Sequence, residues 1–336
     1  MSILNDGESK LEKGCVTMNK VFDKEKGDCE YNAIQTINLS KRYGDFVAVD
    51  SINLEIKKGE LFSILGPNGA GKTTTIKILS CLLLPTEGTA KIMGYDIKEN
   101  PQLIKEIIDV SPQETAVAGH LNAWENLKLM GGIYGLGKEE IEKRACELLD
   151  LLDLPGREKE QVKKYSGGMK RRLSIAMAMM SDPQILFLDE PTLGLDPQAR
   201  KTMWEKIEGL KGEKTIVLTT HYLEEADALA DRIAILKEGK IIAIDTPDEL
   251  KNNIKPMKSI VIKTKNISDD IVKGIKEMYS DVVFKANKIE IKAIKLNVDK
   301  IVDYLRLNEV KIEGISMKEP SLDDVFFELT GERVNK

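Results

Sequence analysis

The sequence predicts an α/β fold built around a parallel β-sheet with helices on both faces. Short apolar runs of the kind that form buried strands recur along the chain, at residues 61–65, 184–188, 215–219 and 233–236. Segments with apolar residues at helical spacing lie between them, and a glycine-rich turn follows the first run. Strands that alternate with helices give a parallel sheet covered on both sides.

Further strands and a helix are predicted around this core. Residues 34–39 and 47–56 have the apolar pattern of strands that precede the glycine-rich turn, and residues 89–93 form another strand after it. The turn leads into a helix over about residues 72–81. Residues 1 to about 33 are polar, mixed in charge and without periodicity, so we expect a mobile extension there.

Residues 256–336 are predicted to form a second, small domain. Their pattern predicts a strand at 259–264, a helix at 269–278, a hairpin of 282–284 with 289–293, a helix at 298–307 and a strand at 311–316. The order β-α-β-β-α-β is that of a ferredoxin-like α+β unit. The residue types of this segment do not indicate a particular chemistry.

The glycine-rich turn has the spacing of a phosphate-binding loop. Gly66, Gly71, Lys72 and Thr73 match G-x-x-x-x-G-K-[ST] between a strand and a helix, a context that disfavours a merely tight connection. Glycines let successive N–H groups turn toward phosphate oxygens, the lysine reaches the β and γ phosphates, and the threonine hydroxyl binds Mg²⁺. The predicted contacts to a nucleoside triphosphate are Gly66, Pro67, Asn68, Gly69, Ala70, Gly71, Lys72, Thr73 and Thr74.

The apolar run at 184–188 ends in two carboxylates, Asp189 and Glu190. In a parallel sheet the C-terminal ends of the strands face the ligand crevice. Asp189 is therefore placed to hold Mg²⁺ through water, and Glu190 to face an attacking water as its general base. Elsewhere an Asp-Glu pair simply ends a strand at a solvated turn, but its position downstream of the phosphate loop favours the catalytic interpretation.

A second loop, Ser166-Gly167-Gly168, also has the features of a phosphate-binding site. A hydroxyl and free amide donors lie at the start of a helical run, where the helix terminus is positive. By itself this pattern is equally that of a helix cap. One nucleotide does not need two such loops in one subunit.

Together these motifs resemble the ATP-binding cassette (ABC) ATPase family over roughly residues 35–250. The resemblance implies a P-loop domain at 34–250 with a RecA-like parallel core, an antiparallel β subdomain and a helical subdomain at about 115–180. In that family the serine-glycine motif of one subunit closes over the ATP that the other subunit holds. The resemblance therefore implies a dimer of two copies around two Mg²⁺-ATP.

The resemblance also implies roles for single residues. Tyr43 is similar to the aromatic residue that stacks on adenine, although a packing role stays open for it. Gln113 resembles the glutamine that senses Mg²⁺ and the membrane partner. Asp196 is similar to the aspartate that couples the two sites, and His221 to the histidine that contacts the γ-phosphate. Ser166, Gly167 and Gly168 match the family's signature motif, which contacts the ATP of the other subunit.

Three motifs together indicate a branch of the family. The signature departs from the commoner Leu-Ser-Gly-Gly-Gln and reads Tyr-Ser-Gly-Gly-Met, residues 194–197 read GLDP, and residues 320–327 read PSLDDVFF. Together they resemble the ATPases of daunorubicin-type drug exporters, which have a small C-terminal domain after the cassette. The implied function is ATP hydrolysis that drives export of a drug-like or lipid-like compound.

Composition limits the partners. A formal net charge of −5 without a basic tract argues against nucleic acid, and no apolar run approaches the length of a membrane span. We therefore expect a separate integral membrane permease, with this chain held beside it on the cytoplasmic face. The surface predicted for that partner is 122–130, where Trp124, Leu127 and Leu129 are either exposed anchors or core residues.

Two alternatives come from other functional classes. A non-transport ABC ATPase acting on a macromolecular complex is disfavoured, because the chain has one P-loop, no heptads and no paired cysteines. A GTPase or small-molecule kinase would leave the second serine-glycine loop unexplained. The chain also lacks the Asn-Lys-x-Asp motif with which GTPases bind guanine.

Overall fold

The computed structural model describes residues 32–154, 160–253, 258–265, 267–285, 287–293, 296–318 and 320–331. The extension predicted for residues 1–33 lies outside these ranges except for its last two residues. Within them the strands are β1 (Asn32–Tyr43), β2 (Phe46–Lys57), β3 (Leu61–Leu65), β4 (Glu87–Ile92), β5 (Tyr95–Asp96), β6 (Ile108–Ser111), β7 (Ile185–Asp189), β8 (Thr215–Thr220), β9 (Arg232–Lys237), β10 (Lys240–Asp245), β11 (Lys258–Lys265), β12 (Asp281–Lys285), β13 (Lys288–Ala293) and β14 (Lys311–Lys318).

The α-helices connect these strands and form the region between β6 and β7. They are α1 (Lys72–Leu79), α2 (Pro101–Ile107), α3 (Ala123–Ile133), α4 (Lys138–Leu151), α5 (Gly167–Ala178), α6 (Pro197–Glu208), α7 (Leu223–Leu229), α8 (Pro247–Asn253), α9 (Asp269–Met278), α10 (Val298–Leu307) and α11 (Leu322–Thr330). No described helix combines the length and the apolar character that crossing a membrane requires.

The central sheet has the strand order β10-β9-β3-β8-β7-β6, and β3, β6, β7, β8 and β9 pair in parallel. Every residue of β3, β7 and β8 is buried, as the continuous apolar runs predict. In the register, Leu65 pairs with Thr220 and Asp189 with Thr219. The C-terminal ends of β3, β8 and β7 therefore lie side by side at one edge of the sheet.

A second, antiparallel sheet has the order β2-β1-β4-β5. Its first two strands form a hairpin in which Tyr43 pairs with Phe46 across the turn. The apolar side chains of this sheet share one core cluster with α1 and with one face of the central sheet. The hairpin and the glycine-rich turn after β3 thus belong to one packed unit.

The segment between β6 and β7 is helical, as predicted. Asn122 and Glu125 form a reciprocal capping box at the start of α3. Leu127 is fully buried and Trp124 packs against the core, whereas Leu129 is 50% exposed. The alternative that all three are core residues is therefore wrong for Leu129, whereas Leu127 is a core residue because the face of α3 that carries it packs against α4 and α5.

The C-terminal elements follow the predicted order β-α-β-β-α-β, in an antiparallel sheet with the strand order β12-β13-β11-β14. Alternating isoleucines of β11 and β13 pack with α9 and α10 in a core of their own. The last helix, α11, behaves differently. Leu322, Val325 and Phe326 belong to the large core cluster beside α7 and α8, and Lys237 Nζ donates to Thr330 O at 3.0 Å.

Some boundaries differ from the sequence prediction. The helix after the glycine-rich turn ends at Leu79 rather than near Cys81, since Cys81 has the left-handed φ of 56° that stops a helix. Strand β6 was not predicted, because Asp109 interrupts a short apolar run, and β10 was not predicted because its residues alternate only weakly. Short strands of this kind owe their conformation to pairing with neighbours rather than to their own pattern.

Candidate nucleotide-binding site

The loop between β3 and α1 is held in a conformation that requires glycine. Gly71 has a φ of 104°, and a Cβ added there would lie 2.3 Å from the carbonyl oxygen of Ala48. A Cβ on Gly66 would lie 2.3 Å from the carbonyl oxygen of Leu236. Gly71 is the N-cap of α1 and has no side chain that could accept a hydrogen bond from the N–H groups of the first turn. This arrangement is a cradle for an anion at a positive helix terminus.

Lys72, the first residue of α1, lies inside this cradle. Its side chain is only 6% exposed, and Nζ donates to the carbonyl oxygens of Gly66 at 2.7 Å and Pro67 at 3.2 Å. The same Nζ lies 3.0 Å from Glu190 Oε1. A buried ammonium is stable only with such partners. The oxygens of a phosphate bound in the cradle would be further acceptors for the Lys72 ammonium.

Asp189 lies opposite, at the C-terminal end of β7. Its Oδ1 accepts hydrogen bonds from the hydroxyls of Thr73 at 3.2 Å and Thr219 at 2.5 Å. A carboxylate beside a P-loop hydroxyl is the oxygen set that Mg²⁺ prefers in nucleotide sites, where phosphates and water complete the coordination. The residues present thus fit a magnesium-bound nucleotide.

Glu190 has an unusual backbone conformation, with a φ of 50°. This geometry is unfavourable for a residue with a Cβ, and it is held here by two bonds from the Glu190 N–H to Thr219, at its carbonyl and hydroxyl oxygens. The side chain is 5% exposed and its Oε2 lies 2.8 Å from His221 Nδ1. Glu190 therefore points at the cradle between Lys72 and His221.

Residues 67–74, Glu190 and His221 line a cleft of about 450 Å³, whereas Gly66 and Asp189 do not line it but bond to Lys72 and Thr73, which do. The exposed aromatic residues Tyr43 and Phe46 of the β1–β2 hairpin lie at its side, together with Gln113. The full lining is Tyr43, Phe46, Ala48, Pro67, Asn68, Gly69, Ala70, Gly71, Lys72, Thr73, Thr74, Gln113, Glu190, Leu193 and His221. The volume and the pairing of aromatic with cationic groups suit a nucleoside triphosphate.

The predicted signature residues are not among those that line this cleft. Ser166 is the exposed N-cap of α5, and its hydroxyl accepts from Met169 N at 3.2 Å. Asp196 is the N-cap of α6, accepting from the amides of Gln198 and Ala199. Ser166, Gly167, Gly168 and Asp196 are thus the predicted signature and coupling residues that do not line the cleft of this chain.

Sequence reasoning missed the lining residues Phe46, Ala48 and Leu193 and the supporting residues Thr219 and Arg171. Phe46 lies opposite Tyr43 in the hairpin register, and this pairing is the signal that could have found it. Thr219 bonds to both acidic residues from the next strand, which requires the β7–β8 register. Arg171 reaches the backbone behind Glu190 from α5 and shows no sequence signal, because a basic residue in a helix usually faces solvent.

Comparison with known proteins identifies the family. The family model described as ABC transporter matches residues 49–193. The daunorubicin resistance ATP-binding protein DrrA2 of Streptomyces coeruleorubidus is 39% identical over 308 residues, which cover 90% of this chain and 96% of that protein. This chain belongs to the ABC transporter family. The linearmycin resistance ATP-binding protein LnrL of Bacillus subtilis is 36% identical and covers 89% of the chain and 98% of that protein. These names confirm the predicted branch.

Solved ABC structures agree with the fold of the cassette. A structure described as the ATP binding subunit of an ABC transporter has 31% sequence identity and a TM-score of 0.59, and covers 66% of this chain and 92% of its own. A dimeric post-hydrolysis state of the cassette MJ0796 with ADP and Pi has 31% identity and a TM-score of 0.58, covering 63% and 98%. The protein is therefore an ATP-binding subunit of ABC type, and its activity is ATP hydrolysis.

Proposed function

We propose that two copies of this ABC ATPase bind two Mg²⁺-ATP between them, with the P-loop of one copy facing Ser166, Gly167 and Gly168 of the other. One observation supports this most directly. The cleft of a single chain contains the P-loop, Gln113, Glu190 and His221 but none of the signature residues. The signature loop is exposed at the N-terminus of α5, where a second copy could bring a phosphate ligand to it.

In this proposal each residue acts on one part of the triphosphate. Lys72 and the first-turn amides of α1 would hold the β and γ phosphates, and Thr73, Asp189 and Gln113 would hold the magnesium ion. The metal would neutralise charge that develops on the phosphate oxygens. Glu190 accepts the proton of the attacking water. His221 contacts the γ-phosphate and also orients the Glu190 carboxylate through the 2.8 Å contact. Tyr43 stacks on the base.

Dimerisation tests the proposal directly. The Glu190→Gln protein should bind Mg²⁺-ATP, turn it over very slowly and sediment as a dimer. Adding Ser166→Arg should leave ATP binding to the monomer intact but prevent the dimer, because the signature loop then repels the partner's P-loop lysine. Ser316→Arg, which replaces an exposed serine of β14, is the matched control and should still dimerise. A Glu190→Gln protein that stays monomeric at high concentration with ATP would refute the arrangement.

We further propose an integral membrane permease as partner, which would hold the ATPase at the cytoplasmic face of the membrane. The outer face of α3 supports a docking role, because Leu129 and Ile133 lie one turn apart and are 50% and 66% exposed. Leu129→Asp with Ile133→Asp should reduce recovery of a polytopic membrane protein in pull-downs from solubilised membranes. Leu307→Asp, on α10 and 84% exposed, should not. Equal recovery by both variants would exclude this face.

Export of a drug-like or lipid-like amphiphile is the transport direction and substrate class that we propose. Its support is the agreement between the branch motifs and the relatives named for resistance to daunorubicin, doxorubicin and linearmycin. The non-transport alternative has no comparable relative among those compared above. Membrane vesicles containing the ATPase and its permease should show amphiphile-stimulated ATP hydrolysis, and accumulation that requires Glu190. Stimulation by nucleic acid or ribosomes instead would favour the alternative.

We propose a division into an ATPase domain at 34–250, with the helical subdomain at about 115–180, and an accessory domain at 256–336 of ferredoxin-like topology. The strand order β12-β13-β11-β14, all antiparallel, supports that topology. The separate apolar core of the small sheet supports the boundary. In this division α11 returns to the ATPase core through Leu322, Val325 and Phe326.

A further inference from the structure

Arg171 is a buried cation that makes no ion pair within 4.0 Å among the described residues. It lies on α5, one turn after the signature loop, and is 4% exposed. All of its side-chain hydrogen bonds go to backbone carbonyls. Nε donates to Pro191 O at 3.0 Å, Nη2 to Asp189 O at 2.6 Å, and Nη1 to Gln113 O at 3.3 Å and to Pro112 O. The planar fork of five N–H donors makes this possible, since an ammonium could not span four carbonyls.

The four acceptors belong to two functional segments. Asp189 O and Pro191 O lie immediately before and after Glu190, the residue with the strained left-handed backbone. Pro112 O and Gln113 O belong to the loop that presents Gln113 to the cleft. Arg171 therefore holds the backbone on both sides of Glu190 and, through the same guanidinium, the loop of Gln113.

The charge of Arg171 also acts on this region. Burial lowers the pKa of the guanidinium to about 10, while the nearby carboxylates of Asp189, Glu225 and Glu190 act in the opposite direction. The group therefore stays charged at neutral pH. This fixed positive charge lies against the backbone carbonyls on both sides of Glu190. Burial of a charge costs free energy, and the hydrogen bonds to four carbonyl oxygens offset part of this cost.

A second contact on the same face of α5 strengthens the link. Ser174, one turn after Arg171, has its hydroxyl 3.1 Å from the hydroxyl of Ser111, and both residues are buried. Ser111 ends β6, two residues before Gln113. The helix that begins with the signature loop is thus attached at two successive turns to the strand and loop that position Gln113. A packed helix attached in this way moves as one body.

We propose that Arg171 is a further positioning residue that couples the two nucleotide sites of the dimer. This inference rests on the proposed two-copy arrangement. Within one chain, the first turn of α5 faces the partner's nucleotide, while Gln113 and Glu190 face the chain's own. A displacement of the signature loop therefore reaches Glu190 and Gln113 through one guanidinium. Coupling between sites of this kind changes affinities by roughly 5- to 150-fold.

The test uses the full chain in two backgrounds. With Glu190→Gln, Arg171→Met should bind a fluorescent ATP analogue as a monomer within about threefold of the parent, because the P-loop is unchanged. Its ATP-dependent dimer should be at least about tenfold weaker. With Glu190 intact, the same substitution should lower kcat and bring the Hill coefficient for ATP toward one. Arg172→Met is the matched control, since Arg172 lies nearer the surface and contacts Asp153, and should resemble its parent throughout.

Arg171→Lys separates coupling from folding. It keeps the charge but reaches fewer carbonyls, so it should restore the melting temperature while the dimer and the Hill coefficient stay impaired. A folded Arg171→Lys or Arg171→Met protein with the parent's dimer affinity and Hill coefficient would overturn the inference. A Glu190→Gln parent that never dimerises would instead overturn the two-copy arrangement, and the coupling with it.

Discussion

Two glycine loops of this ABC ATPase lie at the start of a helix, and they differ in what determines their sequence. In the P-loop, a Cβ on Gly66 or Gly71 would lie 2.3 Å from a backbone oxygen of the same chain. In the signature loop, a Cβ on Gly167 would lie 4.0 Å from Leu195 Cδ2, an ordinary contact, and one on Gly168 would lie 3.3 Å from Ala199 Cβ. The chain's own packing therefore requires Gly66 and Gly71 but does not require Gly167.

The two loops also treat their helix termini differently. Gly71 leaves the first turn of α1 without a side-chain cap, while Ser166 caps α5 with its own hydroxyl. The P-loop is therefore a complete anion site within one chain. The signature loop is a stable helix cap whose small residues leave room for something outside the chain. The sequence of the P-loop can therefore be explained from the monomer, whereas that of the signature loop requires an assembly.

The largest expected effect is on ATP turnover at the P-loop site, where a change at Glu190 should slow hydrolysis without changing ATP affinity. Glu190→Gln should lower the turnover of ATP by roughly 10²–10⁴-fold, the size of a general-base contribution, with little change in ATP affinity. Steady-state hydrolysis and equilibrium binding measure the two quantities. Glu224→Gln alters an exposed carboxylate on α7 and should leave both unchanged. Near-normal turnover in Glu190→Gln would remove this residue from its proposed role.

The next effect contrasts the loops directly. Lys72→Ala should weaken ATP binding to the monomer by about 100-fold, because charge-assisted contacts to two phosphates are lost. Ser166→Ala should change monomer binding by less than about twofold, since its ligand belongs to the partner copy. Binding is measured at protein concentrations too low for dimers, with Lys77→Ala as the exposed control on α1. A large loss in Ser166→Ala would place both loops on one nucleotide.

Stability should follow the same contrast. Gly71→Ala should lower the free energy of unfolding by at least about 2 kcal/mol, because alanine is strained at a φ of 104° and its Cβ meets a backbone oxygen. Gly167→Ala should leave it unchanged or raise it by up to about 1 kcal/mol, since alanine is the better helix residue. Urea unfolding measures both. Equal losses in the two variants would mean that the signature glycines are also required by internal packing.

The smallest effect concerns α6, whose N-terminus lies beside the signature glycines. Glu225 is fully buried and accepts a hydrogen bond from Trp204 Nε1 of α6 at 3.2 Å. Burial raises the pKa of the Glu225 carboxyl, and the nearby Glu190 acts in the same direction. Stability from this group is therefore present at acidic pH, below the pKa of the unfolded chain, and is lost as the pH rises through the folded-state pKa.

Glu225→Gln should remove that loss. We expect the variant to gain about 1 kcal/mol over the wild type at pH 8 and less at pH 5, since the amide stays neutral and still accepts from Trp204. Urea unfolding at the two pH values measures the difference. Glu224→Gln, an exposed neighbour, is the control. A gain that is larger at pH 5 would contradict the direction of the pKa change.

The sequence predicted most of the fold and of the site for a common physical reason. Buried parallel strands are continuous apolar runs, so β3, β7, β8 and β9 could be recognised individually. The P-loop could be recognised because its residues are neighbours along the backbone. Strand β6 could not, because a four-residue strand interrupted by Asp109 takes its conformation from pairing with β7. The burial of Leu127 likewise depended on which face of α3 meets α4.

The sequence alone was enough to predict the candidate phosphate-binding groups, since the motifs of Gly66, Lys72 and Ser166 are local stretches of chain at the start of a helix. Only the tertiary structure decided which groups share a cleft. Arg171 shows why, because its backbone partners lie 18, 20, 58 and 59 residues away along the chain. Contacts at such separations depend on sheet register and helix packing, which the sequence around the residue does not contain.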